Sequence, residues 1–270
     1  MMAFLGAFVM PHPPIAIPKI GQNNIKTMQA TIRGMQTIAA QVATIKPDTI
    51  VIASPHAKGY HDALTLYSNH TMMGDFKAFG CSDISLTCKG NDNLAKQLKT
   101  ALNDAGLQTI TKQDEFLDHG VSVPLYYVLK AGVTCRIVVI APGGFDASNH
   151  FDYGEVIGET LRNIKGNYVF IASGDLSHKL MARGPYGYDP NGSVFDEHVT
   201  QALKKGDFES LLTIDQTTVY RAAQCGYHSF ALLGGVLKKT EITAMLHSYE
   251  GPFGVGYATA SFLRKDDTDA

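Results

Sequence analysis

Several features that mark whole classes of protein are missing from this sequence. It has no cluster of lysine or arginine, and its formal net charge is −2, so nothing indicates a surface for nucleic acid or anionic membranes. No apolar run approaches the roughly 20 residues of a membrane-spanning helix. The apolar N-terminus is interrupted by Pro11, Pro13 and Pro14 and has its first basic residue at Lys19, unlike an export signal. We therefore expect a cytoplasmic protein that binds neither nucleic acid nor membrane.

Cysteine pairs and two common catalytic motifs are also missing. Cys81, Cys88, Cys135 and Cys225 form no CxxC pair, and a chain of this size needs no disulfide, so we expect reduced thiols. No GxSxG elbow of the serine hydrolases is present. The segments GGVLKK and GVGYAT lack the spacing of a phosphate-binding loop. The sequence therefore predicts neither a serine-hydrolase elbow nor a phosphate-binding loop.

Apolar runs typical of strands alternate with helix-like runs along the 270 residues. The predicted strands are 3–9, 48–54, 63–68, 84–88, 136–141, 167–173, 242–248 and 255–263. The predicted helices are 22–45, 91–105, 121–131, 151–164, 195–212 and 217–238. This alternation predicts a three-layer α/β domain with a central sheet flanked by helices. The last two strands are joined through YEGPFG, which favours an antiparallel pair and a mixed sheet. We assign 1–265 to this single domain and 266–270 to a frayed tail.

Four histidines stand at the ends of predicted strands or at strand-to-helix turns. His12 in PHPP, His56 in IVIASPH and His178 in SGDLSH follow apolar runs. His119 in DHG precedes a predicted helix that Asp118 could cap. Ligands of open α/β sheets bind outside the carboxyl ends of the strands, and imidazoles gathered there can bind a metal ion or move protons. Taken singly, each segment also fits a plainer interpretation, such as a stiff loop, a capping turn or a first helical turn.

Four further acidic, thiol or imidazole side chains are candidates for the same site. In SGDLSH, either Asp175 or Ser177 could set the tautomer of the histidine that follows. Cys225 and His228, in AAQCGYHSF, are predicted to share one face of a helix at i and i+3, although cysteine is also a common small core residue. Glu250, in SYEGPFGVGY, either holds the turn together or places an acidic group at the site.

Taken together, these segments resemble the class III extradiol dioxygenase B-subunit family. PHPP, SPH, DHGVSVPL, SGDLSH, the late Cys-Gly pair and SYEGPFGVGY occur in the family's order over nearly the whole chain. Each motif is weak alone, but six in order are specific. The branch that the sequence resembles most is the dioxygenase-like N-terminal domain of the AmmeMemoRadiSam system protein A, which is related to the Memo proteins.

The resemblance implies a non-haem metal enzyme of the extradiol dioxygenase type that acts on a small catechol-like aromatic. It implies one divalent metal ion, usually Fe(II) in ring-cleaving members, bound by His12 and His56. His178 matches the family's catalytic acid/base, and His119 matches a pocket histidine that contacts substrate oxygens. The resemblance also implies a homodimer.

The sequence departs from this family in the late helix. Ring-cleaving members supply a glutamate there, but residues 216–240 contain no Asp or Glu. We predict Cys225 as the third metal ligand, because Memo proteins carry a Cys-Gly pair with a ligating cysteine. His228 and Glu250 are the alternatives, and together with Asp175 they are expected around the substrate pocket. A thiolate or a third imidazole favours Zn(II), copper or a redox-sensitive iron. The missing carboxylate favours a second function, a metal-dependent hydrolase, lyase or isomerase without O2. A metal-binding accessory protein is the third interpretation, since fold does not fix function.

Overall fold

The computed structural model describes residues 4–265, so the predicted tail at 266–270 lies outside the described residues. The strands are β1 (Phe4–Met10), β2 (Thr49–Ala53), β3 (Leu64–Tyr67), β4 (Thr71–Phe76), β5 (Cys81–Gly90), β6 (Thr109–Lys112), β7 (Phe116–Leu117), β8 (Arg136–Ala141), β9 (Tyr168–Ser173), β10 (Ile242–Glu250) and β11 (Tyr257–Arg264). The α-helices are α1 (Pro18–Gly21), α2 (Gln29–Ile45), α3 (Asp92–Asp104), α4 (His119–Lys130), α5 (Ala147–Asn163), α6 (Pro190–Lys205), α7 (Gln216–Arg221) and α8 (Tyr227–Leu237).

The strands form one mixed sheet in the order β10-β11-β1-β9-β2-β8-β5-β4-β7, and β3 pairs with both β6 and β8. The central strands β1, β9, β2 and β8 are parallel, whereas β10 and β11 are antiparallel at one edge. The predicted mixed sheet is therefore confirmed. Among residues 4–265, no helix combines the length and apolar character needed to cross a membrane.

Two apolar layers hold the sheet between helices. The parallel strands β2 and β9 are buried along their whole length, which explains why they are continuous apolar runs rather than alternating ones. On one face the core includes Met35 of α2 and Val128 of α4. On the other face it includes Leu98 of α3, Ile157 of α5 and Leu232 of α8. These layers leave the carboxyl edge of the parallel strands free to carry polar groups.

The predicted continuous helix over 217–238 is wrong. α7 ends at Arg221 and α8 begins at Tyr227, and the intervening residues 222–226 form a non-helical segment, here called the strap. Ala223 of the strap has a φ of +52°, a left-handed conformation that costs a residue with a Cβ about 1–2 kcal/mol. Cys225 therefore precedes α8, and the prediction that Cys225 and His228 share one helix face is also wrong.

The strap leaves the helical path because its polar groups bond to another segment. The Gly226 amide donates to the Asp175 carbonyl at 3.0 Å, and the Ala222 carbonyl accepts from the His178 amide at 3.0 Å. A Cβ on Gly174 would collide with the backbone of Gly226, so two glycines permit the close approach. The strap is thereby bound to the loop that follows β9.

Candidate metal centre

His12 lies at the carboxyl edge where three parallel strands end together. It stands two residues after β1, and Met10 of β1 is in register with Ser173 of β9. His56 follows the neighbouring strand β2 by three residues. The Nε2 atoms of His12 and His56 are 3.0 Å apart. The parallel register thus brings together two histidines separated by 44 positions.

The two imidazoles have the charge state and spacing that a metal ion requires. Burial lowers the pKa of His12 well below its ordinary value, and the charge of His56 adds to this effect. Burial also lowers the pKa of His56. A neutral imidazole carries a lone pair on one ring nitrogen. On a tetrahedral ion, two nitrogens that are each about 2.1 Å from the metal lie about 3.4 Å apart, and the 3.0 Å separation of this pair is close to that spacing.

Cys225 and Asp175 approach His12 from the strap side. The Cys225 Sγ lies 3.5 Å from the His12 Nε2, which is about the separation of sulfur and nitrogen ligands on a tetrahedral ion. Burial, reinforced by the charge of Asp175, raises the pKa of the Cys225 thiol. A bound metal ion would instead hold the sulfur as thiolate.

Asp175 is a buried acid rather than the partner of an ion pair. Its Oδ2 is 3.9 Å from the His12 Nε2, and its Oδ1 accepts from the His12 amide at 2.9 Å. Burial raises the pKa of Asp175 to about 7 and lowers that of His12, so burial disfavours charge on both groups. The short distance therefore does not make a salt bridge.

His119 approaches from the opposite side, at the first residue of α4. Its ring stacks on His56 at a centroid distance of 4.3 Å. Ligand atoms of His12, His56 and His119 all lie within 4.8 Å of one another. Burial and the charge of His56 lower the pKa of His119 to about 4. Asp118 accepts from the Val121 amide at 3.2 Å, which confirms the predicted helix cap.

His178 lies in a coil after β9, where the strap fixes its ring. Its Nδ1 is hydrogen-bonded to the carbonyl of Ala223, and its amide donates to the Ala222 carbonyl at 3.0 Å. Burial lowers the pKa of His178, although the Ala223 hydrogen bond opposes the shift. With Nδ1 as the donor, Nε2 carries the lone pair, which makes the side chain available as a proton acceptor near neutral pH.

Two of the predicted pocket residues make their contacts elsewhere. His228 stacks on His150 with ring centroids 4.5 Å apart. Glu250 accepts from the amide and hydroxyl of Thr31 at 2.6 and 2.7 Å, which ties β10 to α2. Among residues 4–265, neither side chain belongs to a group that could hold a metal ion.

Two serines that the sequence analysis overlooked support the histidines. The Ser173 Oγ lies 2.9 Å from the His12 Nδ1 and donates to the Gly120 carbonyl at 2.5 Å. The Ser54 Oγ donates to the Asp118 Oδ1 at 2.7 Å. Both serines close the triplet Ile-Ala-Ser at the carboxyl end of a buried strand: Ser173 is the last residue of β9, and Ser54 directly follows β2. The repetition of that triplet at two strand ends was the available sequence signal.

Comparison with known proteins finds matches that cover nearly the whole chain. A family model described as the catalytic LigB subunit of aromatic ring-opening dioxygenase matches residues 6–260. Protein CA_C1420 of Clostridium acetobutylicum is 34% identical over 265 residues, which are 95% of this chain and 57% of that protein. The chain therefore spans little more than half the length of this relative.

Three more distant proteins are similar to the chain. The 4,5-DOPA dioxygenase extradiol of Mirabilis jalapa is 22% identical over 80% of this chain and 84% of its own length. A MEMO1 family protein of Thermococcus onnurineus is 28% identical over 78% of this chain and 63% of its own length. The crystal structure of protein JW3007 from Escherichia coli K12 has a TM-score of 0.63 at 16% identity and covers 95% of this chain and 99% of its own. That structure shows a shared fold.

Proposed function

Because this chain belongs to the family of the catalytic LigB subunit of aromatic ring-opening dioxygenases, we propose that it is a non-haem metal-dependent oxidoreductase acting on a small catechol-like aromatic. The observation that carries the proposal is the position of the His12 Nε2, which lies 3.0 Å from the His56 Nε2 and 3.5 Å from the Cys225 Sγ. The similarity to a plant extradiol dioxygenase supports the substrate class.

In this proposal, His12, His56 and Cys225 hold one divalent ion, Fe(II) or Zn(II). When bound, the ion supplies Lewis-acid polarisation of the substrate oxygens and an open position for a further ligand. Asp175 stays beside the His12 backbone, where burial raises its pKa to about 7. The protein residues hold the ligands in register.

His178 and His119 carry the remaining roles. His178 accepts a proton from a substrate hydroxyl at Nε2, because its Nδ1 is engaged by the Ala223 carbonyl. His119, whose pKa is about 4, stays neutral and donates a hydrogen bond to a substrate oxygen. The ring of Phe79 packs 5.4 Å from His119 and that of Tyr186 packs 5.0 Å from His178. These aromatic rings suit a planar apolar substrate.

A second candidate function is a metal-dependent hydrolase, lyase or isomerase that uses no O2. The observation that favours it is the Cys225 thiol, 3.5 Å from the His12 Nε2, in a late segment that contains no carboxylate. Thiolate ligands favour zinc or copper over the Fe(II) of oxygen-activating carboxylate sites. The similarity to a MEMO1 family protein is compatible with this alternative.

Anaerobic purification followed by elemental analysis and oxygen uptake separates these functions. The Fe(II)-loaded protein is mixed with a panel of substituted catechols, with His178→Gln as the matched control. Labile Fe(II) together with O2 uptake that the control lacks supports ring cleavage. Tightly held zinc without O2 uptake indicates the second candidate, and bound metal without any turnover indicates an accessory protein. Failure to bind any divalent ion contradicts the metal site itself.

A further inference from the structure

We infer that Pro124 and Ser173 are positioning residues that fix the tautomer of His12, so that its Nε2 lone pair faces the metal centre before any metal binds. The inference rests on the proposed function for the identity of the ligand. Its geometry, however, is a hydrogen-bonded chain that runs from helix α4 through β9 to His12.

The chain begins with a proline inside a helix. Pro124 lies within α4, four residues after Gly120. In a regular helix the amide of the residue at i+4 donates to the carbonyl at i. Proline has no N–H, and its ring crowds the carbonyl four residues earlier. The Gly120 carbonyl therefore has no N–H donor at the i+4 position and is directed away from the helix.

Ser173 supplies the missing donor. Its hydroxyl, fully buried at the end of β9, donates to the Gly120 carbonyl at 2.5 Å. A hydroxyl has only one proton, so the same oxygen must act as an acceptor toward the His12 Nδ1, 2.9 Å away. The donor in that contact is consequently the imidazole N–H.

His12 is thereby held with its proton on Nδ1. The lone pair must then be on Nε2, the atom that lies 3.0 Å from His56 and 3.5 Å from the Cys225 sulfur. In metal sites, such outer hydrogen bonds fix the tautomer and orientation of a ligating histidine, and their loss typically costs about 10–100-fold in metal affinity. Pro124 acts here through two intervening residues and does not touch the site.

The first test reads the tautomer in the metal-free protein. Imidazole ¹⁵N shifts of His12 should show Nδ1–H in the unmodified protein and a mixture of tautomers in Ser173→Ala. Ser173→Thr keeps the hydroxyl and should restore the Nδ1–H form. Ser261→Ala is the matched control, because Ser261 makes an equivalent 2.9 Å contact with His247 on β10 and β11. An unchanged His12 tautomer in Ser173→Ala would overturn the inference.

The second test uses a substitution that should restore a helical hydrogen bond while weakening metal binding. Pro124→Ala provides an amide for the Gly120 carbonyl, which frees the Ser173 proton to donate to His12 and moves the imidazole proton to Nε2. Zn(II) affinity, measured by competition with a chelator, should fall about 10–100-fold. Val123→Ala removes a buried side chain of similar size from the same helix without adding an N–H. It should leave the affinity within a few-fold.

The outcomes separate this inference from the proposed function. If the unmodified protein binds no Zn(II) but His12 is an Nδ1–H tautomer that Ser173→Ala and Pro124→Ala both disturb, the proposed metal site fails and the positioning chain stands. If Zn(II) binds equally to all variants and the tautomer never changes, the metal site stands and the positioning chain is wrong. Thermal unfolding of each variant excludes a folding defect as the cause of lost affinity.

Discussion

The two sides of the candidate metal centre are built by different means. On one side, the capped helix α4 presents His119 from its first residue. On the other side, the strap interrupts a helical run and places Cys225 on irregular backbone, held by hydrogen bonds to the loop after β9. The helical side could be anticipated from a capping pattern, whereas the strap depends on contacts between segments that are distant in sequence.

The two sides also differ in how burial affects their titratable groups. Burial lowers the pKa values of His56 and His119 on the helical side. On the strap side, burial raises the pKa values of Asp175 and Cys225. Burial therefore disfavours the charged form of the titratable groups on both sides. The difference suggests that the imidazoles are ready to bind metal, while the thiol must first lose a proton.

The largest expected effect comes from the residue that the two sides share. His12 belongs to both groups of side chains that could hold a metal ion, so His12→Ala should abolish divalent metal binding while the fold is retained. Elemental analysis of the anaerobically purified variant and its circular dichroism spectrum provide the measurement. Full metal occupancy in the variant would mean that neither group is the metal site.

The next effect concerns the histidine that the strap positions. His178→Gln should leave metal content and thermal stability nearly unchanged but reduce turnover about 10²–10⁴-fold, the usual contribution of a general acid or base. Steady-state rates on a substrate found by the catechol panel measure the loss. Intact turnover would exclude His178 as the proton acceptor, and an unfolded variant would show that its contact with Ala223 is structural.

The third prediction asks which side supplies the third ligand. The Co(II)-loaded protein should show a sulfur-to-metal charge-transfer band, because Cys225 lies 3.5 Å from the His12 Nε2. Cys225→Ser should remove the band. It should also weaken Co(II) binding by about 10–100-fold or more, because losing only the outer hydrogen-bond partner of a ligand typically costs that much. His119→Ala should keep the band and change affinity little.

The control for this prediction is a histidine that lies outside the candidate metal centre. His228→Ala should leave both band and affinity intact, since His228 stacks on His150. If the unmodified Co(II) protein shows no thiolate band and His119→Ala loses the metal, the helical side supplies the third ligand. In that event the proposed role of Cys225 has to be abandoned.

Much of the fold could be predicted from the sequence, because its strands and helices are continuous apolar or amphipathic runs. Three strands escaped prediction: β4 alternates exposed and buried residues instead of forming a continuous apolar run, and β6 and β7 contain only four and two residues. At the site, the sequence singled out the histidines that the structure brings together. It could not reveal Ser173, whose importance depends on pairing with β1, nor the strap, whose left-handed Ala223 has no local sequence signature.

The smallest expected effect concerns the raised pKa of a buried carboxyl on the strap side. On the strap side, the carboxylate of Asp196 accepts from the Ser177 amide and from Tyr249, both at 2.7 Å. Burial nevertheless raises its pKa to about 6, above the ordinary value of 3.8. Between pH 4 and 6 the folded state therefore holds a proton that the unfolded state has released, so stability falls as pH rises.

Asp196→Asn should remove this decline. The variant and the unmodified protein should differ little near pH 4, and the variant should be relatively more stable by about 2 kcal/mol at pH 7. Denaturant unfolding at a series of pH values measures the difference. Asp189→Asn is the control, because the hydrogen bonds of Asn191 lower the pKa of Asp189 to about 2, and its effect on stability should be constant above pH 4.5. A constant effect of Asp196→Asn over the same range would show that its carboxyl is already ionised, and the electrostatic contrast between the two sides would then rest on Asp175 and Cys225 alone.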